Sequence, residues 1–170
     1  VVSTLRRAAE SSLAQGAAEA AVRYLTRALD EQIDPAERAE VLIELGFAER
    51  RTNGPAAADH LRAGLELLAD RSRRCTVALE LGRAFWFTDR IADALAVFRQ
   101  ALDEINRERD PDLYELLLAE LISSAWWDAQ TCPIAEARLG ELDLDALYGG
   151  LGSEILLGMM AHYEYGLGLR

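Results

Sequence analysis

The sequence contains no lysine. Its 18 basic residues are all arginine, set against 29 acids, and the formal net charge is -11 over 170 residues. A protein that grips nucleic acid must neutralise phosphates with a basic face, so this balance argues against DNA or RNA as a ligand. The two cysteines, Cys75 and Cys132, stand far apart and outside any CxxC spacing. Neither a disulfide framework nor a zinc site is therefore expected, and a reduced, cytoplasmic setting fits. Long apolar runs are missing too. Stretches such as Leu116 to Ala119 are far too short to cross a bilayer, and no charged-then-apolar leader opens the chain. Aromatic residues make up only 7%, so Ala and Leu supply most of the 51% hydrophobic content. That mixture favours helix, because Ala and Leu lose little side-chain entropy there. The first residue is Val1 rather than Met, and a piece of a longer polypeptide is expected.

What is present is periodic. Leu45-Gly46 recurs as Leu81-Gly82 about 36 residues later, with the small residue Ala9 about as far upstream. In step with it, Ala21-Val22-Arg23-Tyr24-Leu25-Thr26-Arg27-Ala28-Leu29 is echoed by Ala94-Leu95-Ala96-Val97-Phe98-Arg99-Gln100-Ala101-Leu102, and more loosely by Ala57 to Leu65. Each unit thus reads as a helix with a small residue near its middle, a short turn, and a second helix. Punctuation agrees. Pro35, Pro55, Pro111 and Pro133 fit helix starts, where a missing N–H costs nothing. Asp34 reads as an N-cap with Glu37 reaching back, and Asp110-Pro111 repeats the device. The expected units span roughly 3–31, 35–69, 71–108 and 111–142 of a single domain covering 1–170. The loop containing Gly149 to Gly152 reads as a flexible connection, after which Ser153 caps a terminal helix, roughly 153–167.

These repeats resemble the tetratricopeptide repeat, most closely over residues 3 to 108. The resemblance implies an all-α helical-repeat solenoid of about four antiparallel helix pairs plus the terminal helix. Departures are the missing early aromatic in the first three units and Gly64 where Ala28 and Ala101 stand in the others. In such a repeat the first helices line the concave face. Alignment of the units puts Phe47, Arg50 and Arg51 in register with Arg83, Trp86 and Phe87, while Trp126 and Trp127 end the next first helix. An Arg and aromatic strip of this kind suits an acidic or apolar peptide, or a drug-like ligand. The other reading, equally weighted, makes half of these rings inter-repeat core. The terminal helix has no following partner, so Ile155, Leu156, Met159, Met160 and Tyr163 are expected to contact another segment or a second copy.

Catalytic groups are not expected. His60 and His162 sit singly on helices without HExxH spacing, and the glycine run lacks the Lys-Ser/Thr pair of a phosphate loop. Cys75 reads as a core filler and Cys132 as exposed, with no cation beside it. Asp103, Glu104 and Glu115 read as solvated carboxylates, and Arg71, Arg73 and Arg74 as salt-bridge partners at a helix start. No metal or cofactor is implied.

The segment from Leu5 to Leu65, with Gly16 to Leu29 and Pro35 to Gly46 at its centre, is similar to the helical region of large actinobacterial LuxR-family regulators of the MalT-like type. Pro133 to Leu139 and the helix from Ser153 onward also resemble it. In that family an ATPase module precedes the repeats and a helix-turn-helix follows them. The resemblance implies a non-catalytic interaction, sensor or oligomerisation segment of a transcriptional regulator; a free-standing adaptor for partner peptides is the alternative. The partners expected are proteins or peptides, other domains of the same polypeptide, a small-molecule effector, or a second copy of the chain. Direct contact with nucleic acid or membrane is not expected.

Overall fold

A computed structural model describes residues 1–50 and 52–166, and all of the regular structure among them is helical. The helices are α1 (Val2–Ala14), α2 (Ala18–Leu29), α3 (Pro35–Glu49), α4 (Gly54–Leu67), α5 (Arg71–Phe87), α6 (Ile91–Glu104), α7 (Pro111–Trp126), α8 (Cys132–Gly140) and α9 (Leu151–Gly166), with a single 3-10 turn at Leu144–Ala146. No described helix is long and apolar enough to cross a membrane.

Local chemistry sets the boundaries. The carboxylates of Asp34 and Asp70 accept from the N–H groups of Glu37 and Arg73 at 2.9 and 2.8 Å, closing the starts of α3 and α5. All four prolines fall in first turns. Asp110 departs from the expected device, because its side chain makes no capping bond. Its ψ of 57° differs from the extended 163° and 122° of Asp34 and Asp70.

Each helix packs on its neighbours in sequence, α1 on α2 through to α7 on α8, and α5 and α9 also lie against α7. Helices covered on one side carry a single stripe, such as Ala21, Leu25 and Ala28 in α2. Helices α3, α5 and α7 are covered on two sides and bury eight residues each, while charged side chains such as Glu44, Arg83 and Glu120 line the rest of their surface. In α3, for example, Val41, Leu45 and Ala48 pack towards α1 and α2 while Ile43 packs towards α4 and α5.

Small residues govern the spacing within pairs. Ala21, Ala57 and Ala94 are fully buried. A Cβ added at Gly82 would lie 2.2 Å from the Phe98 ring of α6, and one at Gly46 would lie 2.6 Å from Leu61 of α4. The recurrent Leu-Gly pair therefore lies where α4 approaches α3 and α6 approaches α5, and the missing side chain is what admits Leu61 or Phe98.

Candidate binding surface

The surface that gathers most of the candidate residues is built on α5 and α7. Glu80 and Arg83 lie one turn apart on α5 and bond at 2.7 Å, as i,i+3 side chains can. The Glu80 carboxylate also accepts from Arg50 at the end of α3, and Arg83 reaches Glu120 of α7 at 2.8 Å. Arg50, Glu80, Arg83 and Glu120 thus form one alternating chain of charge across three helices. Burial works against the Arg83 charge, but the Glu120 and Glu80 carboxylates more than offset it, so its pKa is raised. Both arginines are engaged within the protein. An acidic ligand would have to displace Glu80 or Glu120 to reach them, which weakens the expectation that they grip a carboxylate directly.

The rings divide between surface and core. Trp86 is 37% exposed, Phe87 72% and Trp127 78%; Trp86 and Phe87 meet edge to face at 5.2 Å. Trp126 is half-buried and packs edge-on against His162 and Tyr163 of α9, at 5.9 and 6.2 Å. Phe47 is half-buried in a different place. It lines a hollow near α1 with Arg6, Arg7 and Glu44, so the structure does not gather it with Trp86 and Phe87. Arg51 lies outside the described residues.

The terminal helix is not without a partner: α9 packs along α7. Leu156 is fully buried and Met160 nearly so, which puts both in the core rather than at a contact surface. Ile155, Met159 and Tyr163 are half-buried against the same core. Together with Ile122, Trp126 and Trp127, Ile155 and Met159 line an open, almost wholly apolar cleft of about 400 Å³ between α7 and α9. Two further hollows adjoin it. One is bordered by Arg83, Trp86, Phe87 and Ser123, the other by Trp86, Trp127, Asp89 and Asp128. Because Ser123 and Trp127 are shared walls, the aromatic strip and the terminal-helix cleft form one continuous surface.

The reason α9 docks there was misread from the sequence. Glu115, expected in solvent, is only 2% exposed. Its carboxylate accepts the Tyr148 N–H at 2.7 Å and the Ser153 hydroxyl proton, and the Gly149 N–H in turn donates to the Ser153 oxygen at 2.8 Å. Ser153 is therefore occupied inside α9, which starts at Leu151, three residues earlier than a Ser153 cap would give. The glycine run is a close contact rather than a loose connection: a Cβ at Gly152 would fall 2.6 Å from the Leu116 backbone nitrogen of α7. A signal for Glu115 did exist. It lies four residues before Ala119, the in-register counterpart of Gly46 and Gly82, and its equivalents Leu42 and Ala78 are buried.

Reactive groups elsewhere are held in structural pairings. Burial pushes up the Cys75 thiol, which lies 3.5 Å from the Ala101 carbonyl oxygen. Desolvation and the neighbouring Glu136 push up half-buried Cys132. Neither is poised as a thiolate. His60 Nδ1 lies 2.6 Å from the buried Glu49 carboxylate. Arg73 and Arg74 pair with Glu40 and Glu104 at 2.8 and 3.0 Å, so this cluster joins helices. Among the described residues no three His, Cys, Asp or Glu side chains are placed to share a metal ion. No protein-family model matches the chain, and no curated protein matches it.

Proposed function

We propose that this chain is a tetratricopeptide-like repeat segment that works by binding and scaffolding rather than by catalysis, in the cytoplasm, as the middle part of a LuxR-type transcriptional regulator. One observation carries the binding role: the neighbouring Trp86 and Phe87 of α5 and the distant Trp127 at the end of α7 border hollows that adjoin the α7–α9 cleft. Exposed aromatic surface concentrated in one concavity is what a ligand or partner site requires. The ion pairs Arg6–Glu44 and Arg83–Glu120, 38 and 37 residues apart, support the repeat reading, since they join helices one unit apart. The regulator assignment rests on the sequence resemblance alone.

Two experiments test the two parts. The reading frame around the segment is expected to encode a phosphate-binding loop upstream and a helix-turn-helix downstream; a frame with neither leaves the free-standing adaptor. In the full-length protein, Phe87→Ala combined with Met159→Ala is expected to abolish inducible promoter activation without lowering protein abundance. Unaltered activation would remove this surface from the signal path.

A further inference from the structure

The charge around the Trp86–Trp127 hollow is one-sided. Asp89 and Asp128 sit on its rim, and neither forms a salt bridge among the described residues. Asp128 accepts a single bond through Oδ1, from the Gln130 N–H at 2.8 Å. The nearby arginines are already engaged: Arg83 with Glu80 and Glu120, and Arg90 with Asp93 at 2.7 Å while it stacks 4.4 Å from the Phe85 ring centroid. Two indoles and two unpaired carboxylates in one hollow favour a positive charge twice over, through the negative faces of the rings and through direct Coulomb attraction. An anion there would meet both Asp side chains in a protein whose net charge is already -11.

The adjoining cleft favours the opposite chemistry. Its walls of Ile122, Trp126, Ile155 and Met159 offer almost no polar atoms, and His162, edge-on to Trp126, is its one ionisable group. Its volume of about 400 Å³ lies within the range of small-molecule sites, roughly 300–1,000 Å³. Trp127 is the wall between the two compartments, so one molecule can span them with its charge at the aspartates and its apolar body between α7 and α9.

We propose that this surface binds an amphipathic organic cation, a small molecule whose charged nitrogen sits between Trp86 and Trp127 beside Asp89 and Asp128 and whose apolar body fills the α7–α9 cleft. The assignment rests on this surface being the chain's binding site and adds the class of its ligand. Three amphiphiles sharing a decyl chain separate the contributions: decyltrimethylammonium, decyl maltoside and decyl sulfate, titrated below micelle formation with tryptophan fluorescence as the readout. The cation is expected to bind about tenfold more tightly than the neutral probe, and the anion more weakly still. Asp89→Asn and Asp128→Asn are each expected to remove much of the cation's advantage while leaving decyl maltoside affinity and the thermal melt unchanged. Trp127→Ala weakens all three.

Equal affinity for the cationic and neutral probes, still sensitive to Trp127→Ala, would overturn the cation assignment and leave the binding surface standing. Failure of all three probes to bind would also overturn it, with the promoter test above deciding the surface separately. An Arg-containing apolar peptide that binds this cleft far more tightly than decyltrimethylammonium would replace the small molecule by a protein partner.

Discussion

Replacing Gly82 with Ala sets two effects of known sign against each other. Ala is the better helix former by ~1 kcal/mol, so in an exposed helix the change would stabilise. At Gly82 the new Cβ would lie 2.2, 2.4 and 2.8 Å from three atoms of the Phe98 ring, and Phe98 is fully buried. Ordinary contact requires a retreat of more than ~1 Å by a ring packed on every side, and overpacking of that kind costs about 1–3 kcal/mol. With the steric term at the upper end, the net loss is about 2 kcal/mol. For a domain of this size that corresponds to a Tm roughly 4–8 °C lower. Gly158→Ala in α9 is the control, because a Cβ there meets nothing within 4 Å; it should gain up to ~1 kcal/mol from propensity alone. Gly82→Ala with Phe98→Leu should cost less than the sum of its parts, since the smaller side chain relieves the clash. Thermal and urea unfolding read the parent, the three single variants including Phe98→Leu, and the double variant. A Gly82→Ala variant that melts at or above the parent temperature would refute the close-approach account of the Leu-Gly pair.

Glu115→Ala removes the acceptor of the Tyr148 N–H and the Ser153 hydroxyl. Leaving these groups unpaired should cost about 1–3 kcal/mol and speed hydrogen exchange at the Tyr148 amide; unchanged exchange there would show that the Glu115 hydrogen bonds do not hold the loop. The Arg74 hydrogen bond holds the Glu104 carboxyl below its usual pKa, so its stabilisation is present above the unfolded carboxylate pKa of about 4.3 and is lost as pH falls through the lower folded value. Glu104→Gln should therefore destabilise by under ~1 kcal/mol at pH 7, the pair being partly exposed. The gap between the two proteins should close in acid, and a gap that persists at low pH would assign it to packing.

Helix pairing was legible because it is written locally. The 36-residue recurrence of Leu-Gly, the proline positions and the Asp34 cap depend on residues within a turn or two of each other, or on exact repetition. Cys75 as core and Arg73 and Arg74 as salt-bridge partners followed from their places on a helix and at its start, while the partners Glu40 and Glu104 on other helices did not. Glu115 was misread because its partners Tyr148 and Ser153 are 33 and 38 residues away, outside any window that periodicity inspects. Its acidic side chain points to solvent by type, whereas its register, shared with Leu42 and Ala78, points to the core. The role of Gly152 escaped for a related reason: a glycine run in a loop has the same composition whether it turns freely or lies against the backbone of another helix. Of the candidate surface, Trp86, Phe87 and Trp127 could be named, but their continuity with the α7–α9 cleft depended on where α9 docks.

The joints between helices are of two materials. Successive helices meet mainly through apolar side chains, with Arg74–Glu104 and His60–Glu49 added between them, whereas Arg6–Glu44, Arg73–Glu40, Arg50–Glu80 and Arg83–Glu120 supplement shared apolar contacts between helices that alternate along the chain. Salt acts on the second kind far more than on the first, because partly exposed ion pairs are screened over about 8–10 Å at physiological ionic strength while buried apolar contacts are not weakened by screening. Raising ionic strength is therefore expected to slacken the charged lacing among α1, α3, α5 and α7 while the apolar contacts beneath it keep the helices packed.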